Sequence, residues 1–279
     1  MVTQQQRVAA HRRTGRGLRT ALAIVLLALM LFPVYWMLNI SLQASGGTLP
    51  SSFFPTHPSL AGYTTAIQDQ GQNLVTSMLI AVGTVVLTLV IAAPCAYALA
   101  QFRFRWISWA LLVILISQMI PGIVIANALY TLYENIGLLN SIPGLIIANA
   151  ANAVPFGILI MRSFMLAVPT SIVEAARVDG AGLVRAFLSI VVPISRNSLI
   201  TVGLFAFLFA WSDFIFALTL TTKGNITPVT LGIYTYLGAH ISNWSAVMAT
   251  AMLASIPAII LLVIAQKYIA AGATGGAVK

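Results

Sequence analysis

From Ala21 to Ile40 the chain runs twenty residues without a charged side chain, and five more apolar segments follow, at about 73–99, 106–128, 143–166, 197–219 and 245–266. A helix rising about 1.5 Å per residue needs about 20 apolar residues to cross a hydrocarbon core about 30 Å thick. No soluble core can hide six such stretches in 279 residues, of which 59% are hydrophobic and only 7% charged. Soluble domains carry about 25% charged residues. The expected fold class is all-α: a polytopic membrane protein of six transmembrane helices, essentially one membrane domain. Pro94, Pro121-Gly122, Pro155 with Gly157, and Pro257 fall within these segments and are expected to interrupt several of them. Such breaks persist in lipid only where neighbouring helices or a wet cavity satisfy the freed backbone groups.

The basic residues orient the chain. Residues 1–20 hold Arg7, Arg12, Arg13, Arg16 and Arg19, and read as a flexible basic cytoplasmic tail near anionic lipid. The first helix, 21–40, is too long for the apolar region of a signal peptide and is read as retained. Residues 41–72, with Gly46-Gly47, Pro50, Pro55 and Pro58 but no Lys or Arg, form an extracytoplasmic loop. With both termini inside and a cytoplasmic tail at 267–279, thirteen of the fourteen Lys and Arg fall on the cytoplasmic side, and only Lys223 lies outside. This is the asymmetry of the positive-inside rule, and it accounts for the net charge of +9 without nucleic acid.

The long cytoplasmic loop, 168–196, is polar yet patterned for helix. Ser171 and Glu174 have the spacing of a capping box, which predicts a short helix over about 171–179. Gly180 supplies the stop. Leu183, Ala186, Phe187, Ile190 and Val191 then mark one face of a second helix, expected to end at Pro193. The charged Glu174, Arg177, Asp179 and Arg185 flank the small pair Ala175-Ala176, a surface that another protein can approach closely and read by charge. Read from these residues alone, an amphipathic hairpin resting on the lipid headgroups stays open.

Glu174-Ala175-Ala176, then Gly180, Ile190 and Pro193, resembles the EAA signature of binding-protein-dependent ABC importer permeases, with Val192 in place of the usual Leu. Other stretches are similar to the carbohydrate-uptake branch, of the maltose-transporter second-permease type. They include Phe54-Pro55 with Tyr63, Ala96–Ala100 with Phe102 and Phe104, Ile136–Ser141 with Pro143-Gly144, Trp211-Ser212-Asp213 and Gly275–Lys279. Gly62 stands where that branch has Asn, Ser212 replaces an Asn, and Asn197 replaces a proline. The resemblance implies a type I permease fold with a core over 73–266. It implies that Glu174, Ala175, Ala176, Arg177, Asp179 and Gly180 form a coupling helix seated on an ATPase dimer. It further implies a second, homologous permease and an extracytoplasmic sugar-binding protein or lipoprotein, in the plasma membrane of a prokaryote. ATP and Mg would be bound by the ATPase, since no Lys here follows a phosphate-binding glycine loop. No covalent chemistry and no cofactor is expected in this chain.

Few polar groups lie within the segments. Asp213 falls in the fifth, where a buried acid is a functional candidate by default. It reads either as lining the solute path or as bonded to a helix end. Asn149 and Asn152, three apart, share a face of the fourth and could bind solute hydroxyls or join helices. Gln118, just before Pro121, reads as a partner for backbone freed at that kink, and Trp211 as packing. Cys95 is the only cysteine, and His57 and His240 are far apart, so neither a disulfide nor a metal pair is expected. An ion-coupled secondary transporter would place more ionisable groups at mid-membrane. An intramembrane hydrolase would need a nucleophile with a base, and a permease for a non-sugar solute would carry the same coupling motif.

Overall fold

The computed structural model describes residues 4–44, 52–55, 57–102, 105–238 and 243–275, and the described residues form helices and connecting turns without strands. Gly46, Gly47, Pro50, Arg103, Phe104, His240 and the tail from Gly276 lie outside them. The chain divides into two compact units, one of residues 1–68 with 240–253, the other of residues 69–239 with 254–279.

In the first unit α1 runs from Gln4 to Ser41, straight through Pro33, so the basic segment expected as a flexible tail is helical from its fourth residue. Residues 19–35 are exposed on every face, Leu22, Val25, Leu29 and Met30 among them. An all-round apolar helix of this kind requires lipid or another protein as its surroundings. Its last turn is tied down. Asn39 Nδ2 donates to the Ser52 carbonyl at 3.0 Å, the Tyr35 hydroxyl to that of Phe53, and the Ser41 and Tyr63 hydroxyls meet at 2.8 Å. Trp36 and Tyr35 pack edge-on against Phe53 and Phe54, the aromatic composition of a membrane–water boundary.

Helix α2, Ala61–Gln101, starts twelve residues earlier than the apolar segment expected at 73. Its 41 residues span about 60 Å, twice a bilayer core. Near its start Gly62 meets Ser245. A Cβ at position 62 would lie 2.9 Å from the Ser245 carbonyl carbon and oxygen, closer than atoms can pack. The glycine that departs from the family pattern is therefore what this contact admits.

The second unit contains most of the packing. Helix α3, Ile107–Ser117, has 11 residues, too few to cross a bilayer, and α4, Gly122–Ile136, leaves it at 92°. The break falls at Pro121, which lacks an N–H and drives the residue before it out of the helical region. The third segment, expected to be one helix, is thus a sharply bent pair. Helix α5, Ile142–Met165, carries Pro155 without interruption. The loop helices α6, Thr170–Val178, α7, Leu183–Ala186, and α8, Val192–Ile194, come next. Helix α9, Arg196–Trp211, packs along α5. It stops at Ser212, and α10, Ile215–Leu220, and α11, Val229–Gly238, complete the descent. Helix α12, Trp244–Gly275, shared by both units, runs through Pro257. Of the prolines expected to interrupt segments, only Pro121 does so; Pro94, Pro155 and Pro257 are absorbed within helices.

Among the described residues four helices are long and apolar enough to cross a membrane, and the number rises to six if each of two bent pairs makes one crossing. Ile80, Ala126, Tyr133, Leu145, Ala148, Phe216 and Leu220 form one buried cluster joining α2, α4, α5 and α10. The Tyr133 hydroxyl donates to the Gly144 carbonyl at 3.1 Å, and Asn140, at φ 55°, accepts from the Lys223 N–H at 2.7 Å. Replacing Gly62 by Asn, the family's residue, is expected to cost about 1–3 kcal/mol through overpacking. Thermal unfolding of the detergent-solubilised protein checks this, with Gly62→Asn melting several degrees below the parent and Ser245→Gly partly restoring it.

Candidate coupling surface

Helix α6 begins after Pro169, whose ψ of 129° turns the chain into the helix, and the Ile172 N–H reaches the Pro169 carbonyl at 3.3 Å. No side chain caps it. The capping box expected between Ser171 and Glu174 does not form, because Ser171 is already the second helical residue. Proline sets the start instead, and Glu174 projects free and exposed.

The end of α6 is as the glycine predicts. The Gly180 N–H donates to the Arg177 carbonyl at 3.1 Å and the Ala181 N–H to that of Ala176 at 2.9 Å, with Gly180 at φ 85°. This is a Schellman closure, and the left-handed residue at its centre strains any side chain. Glu174, Ala175, Arg177, Asp179 and Gly180 are all exposed, whereas Ala176 is half-buried and turned toward Val173, which is buried. Val178 is 87% exposed and Val184 71%. These two valines were not singled out in the sequence; an isolated valine among charges carries no periodic signal. Together the residues present a small, mixed surface of two acids, one arginine and apolar side chains.

The second loop helix departs from expectation. Ala186 and Val191 are buried and Phe187 and Ile190 half-buried, but Leu183 is 53% exposed. Between α7 and α8 the residues Phe187–Val191 form a π-helical turn, in which the Val192 N–H donates to the Phe187 carbonyl. Pro193 therefore sits inside the helix rather than ending it, because the wider turn accommodates a ring that a regular α-turn would push into the carbonyl four residues back. The chain bends by 80° only afterwards, between Ile194 and Arg196.

What fixes this surface is its underside. Val173, Ala186 and Val191 belong to one buried cluster with Ala92, Ala96 and Tyr97 of α2, Met161 and Met165 of α5, and Val202 of α9. The Tyr97 and Phe187 rings lie 5.3 Å apart. Gln101, the last residue of α2, donates through Nε2 to the carbonyls of Met165 at 2.9 Å and Val168 at 3.1 Å. Arg162 Nε returns a bond to the Leu99 carbonyl at 3.1 Å. The end of α5 and the approach to α6 are thus stapled to α2. Gln101 too escaped sequence reasoning, since one amide at the end of an apolar segment has no distinguishing pattern.

The three polar candidates within the segments part company. The Asp213 carboxylate accepts from the Phe216 and Ala217 N–H groups, each at 3.1 Å, and so satisfies the first turn of α10. Asn149, buried on α5, acts on the same carboxylate and donates to the Leu145 carbonyl at 3.0 Å. The structure therefore brings Asn149 beside Asp213, whereas the side chain of Asn152 is exposed. Gln118 Nε2 donates to the Asn152 carbonyl at 3.4 Å, inside α5, so Gln118 ties the end of α3 to a neighbouring helix and does not serve the backbone freed at the Pro121 kink. Trp211 stacks on Phe207 and donates from Nε1 to the Ala254 carbonyl at 2.9 Å, a bolt between α9 and α12.

Comparison with known proteins agrees with this arrangement. Residues 89–274 match the family described as binding-protein-dependent transport system inner membrane component. The diacetylchitobiose uptake system permease protein DasC of Streptomyces coelicolor is 31% identical over 95% of this chain and 98% of its own. The trehalose/maltose transport system permease protein MalG of Thermococcus litoralis is 29% identical over 92% and 94%. Among solved structures, a bacterial ABC transporter that imports the acidic polysaccharide alginate contains a chain with the same fold, at a TM-score of 0.77 and 22% identity, covering 96% of this chain and 99% of that one. The chain belongs to the binding-protein-dependent inner-membrane permeases, multi-pass transport components that work with a solute-binding protein and a separate ATPase subunit.

Proposed function

We propose that this chain is one of two homologous permeases in an ATP-driven importer of a sugar or oligosaccharide, and that α6 is its coupling helix. The single observation that carries this reading is the exposed Glu174–Gly180 surface on a helix whose underside is part of the core joining α2, α5 and α9. A docking surface so anchored passes a push from a soluble partner into three membrane helices at once. The carbohydrate assignment draws on relatives named for diacetylchitobiose and for trehalose and maltose. The distribution of Arg and Lys supports a cytoplasmic position for both termini and the loop. ATP and Mg belong to the ATPase dimer. Its closure on ATP moves α6, and the two permeases reorient around a solute delivered from the extracytoplasmic binding protein.

Within the segments the three polar residues take different parts. Asp213 holds the junction of α9 and α10, while Asn152, whose side chain is exposed, is the one offered to the solute path.

Reversing the charge in Glu174→Arg is expected to abolish co-purification with the ATPase while leaving the permease pair intact; an undiminished complex removes Glu174 from the docking surface. Gln101→Ala loses two hydrogen bonds, worth about 1–3 kcal/mol together. Binding-protein-stimulated ATP turnover then persists while sugar uptake falls several-fold, and Gln101→Glu, which cannot donate, does not rescue it. Asp213→Ala strips the cap from α10 at a cost of about 1–2 kcal/mol and lowers the melting temperature. Asn152→Ala leaves that temperature unchanged and lowers uptake, and normal uptake at full expression would take Asn152 out of the path.

A further inference from the structure

A groove of about 660 Å³ lies in the second unit between α2, α9 and α12, lined by Val82 and Leu89, Leu199 and Phe207, and Ile260 and Ile264 among others. Every residue lining it is apolar. A hydroxyl-rich solute there would give up its hydrogen bonds to water and gain none, so the groove is not a sugar path. Its occupant must be apolar.

Two cations lie one helical turn beyond lining residues of α9 and α12. Arg196 precedes Leu199 and Ile200 by one helical turn, and Lys267 follows Ile264 by one turn, so each shares a helix face with lining residues. Both are exposed, and Lys267 Nζ lies 5.0 Å from the ring centre of Tyr268, a residue type enriched at membrane–water interfaces. Helix α12 contains no acid, and none lies between Asp179 and Asp213, so neither cation has a carboxylate on its own helix. Along α12 the lining runs from Pro257 to Ala265, about 12 Å. That is close to the depth of one leaflet, about 15 Å, and far short of the 30 Å contact that a crossing helix would make.

We propose that this groove is a binding site for an anionic glycerophospholipid, one acyl chain lying in the groove and the phosphate held between Arg196 and Lys267. Basic pockets between membrane helices select anionic headgroups in this way, each basic side chain adding to the attraction. The site rests on the proposed transport role only for which leaflet it faces, and the test is independent of that.

The assembled complex, placed in nanodiscs of equal parts phosphatidylglycerol and phosphatidylethanolamine, is read by native mass spectrometry. The expected result is phosphatidylglycerol retained over phosphatidylethanolamine. The double variant Arg196→Gln/Lys267→Gln lowers that preference roughly tenfold or more. Ile260→Trp, which fills the groove, displaces the same lipid with both charges intact. Equal retention of the two lipids by the parent complex overturns the proposal, as does a preference unmoved by either variant. Should the variants fail to assemble, p-benzoylphenylalanine at Ile264 decides: crosslinking to phosphatidylglycerol supports the site, and crosslinking to the partner permease overturns it.

Discussion

Inside hydrocarbon a backbone N–H or carbonyl without a partner costs several kcal/mol, and no water is at hand to supply one. The polar side chains of this protein are spent largely on that need. Asp213 serves the N–H groups that open α10, Trp211 a carbonyl on α12, Tyr133 the carbonyl of Gly144, and Gln101 one carbonyl at the end of α5 and one just beyond it. The bonds of Asp213 and Gln101 lie at helix ends, where the helical ladder runs out, while those of Trp211 and Tyr133 tie one helix to another. The helices can therefore bend, stop and restart within the membrane segments, which an uninterrupted bundle could not do.

The same placement separates what was legible in the sequence from what was not. Apolar length marks the segments, because hydrocarbon thickness sets a threshold that composition alone can meet. Gly180 marks the end of α6, because one residue type tolerates its dihedral angles. Proline is a weaker sign. Pro121 breaks its segment, while Pro94, Pro155 and Pro257 ride inside helices, since packing against neighbours decides whether a missing hydrogen bond matters. The Ser171–Glu174 spacing fits a cap that the chain starts too early to use. Asp213 and Gln101 could not be assigned from sequence because their partners are backbone groups, which have no identity in a string of letters.

The cluster beneath α6 gives the loop its mechanical character. Side chains from α2, α5 and α9 meet residues of α6 and of the helical stretch that follows it, and Gln101 binds the connecting carbonyls. A displacement of α6 is shared by three helices before any connection can flex. The π-helical turn at Phe187–Val191 and the 80° bend after it take up the geometric mismatch between a loop lying across the bundle and a helix entering it.

Only one residue of α6, Val173, is buried. The other eight positions place almost no demand on the fold, so folding alone would let them drift. In the coupling role proposed for α6, its acid, paired alanines and arginine answer to a surface outside the chain. On that proposed role the sequence of α6 is an imprint of another protein's surface, carried by one chain and read by another.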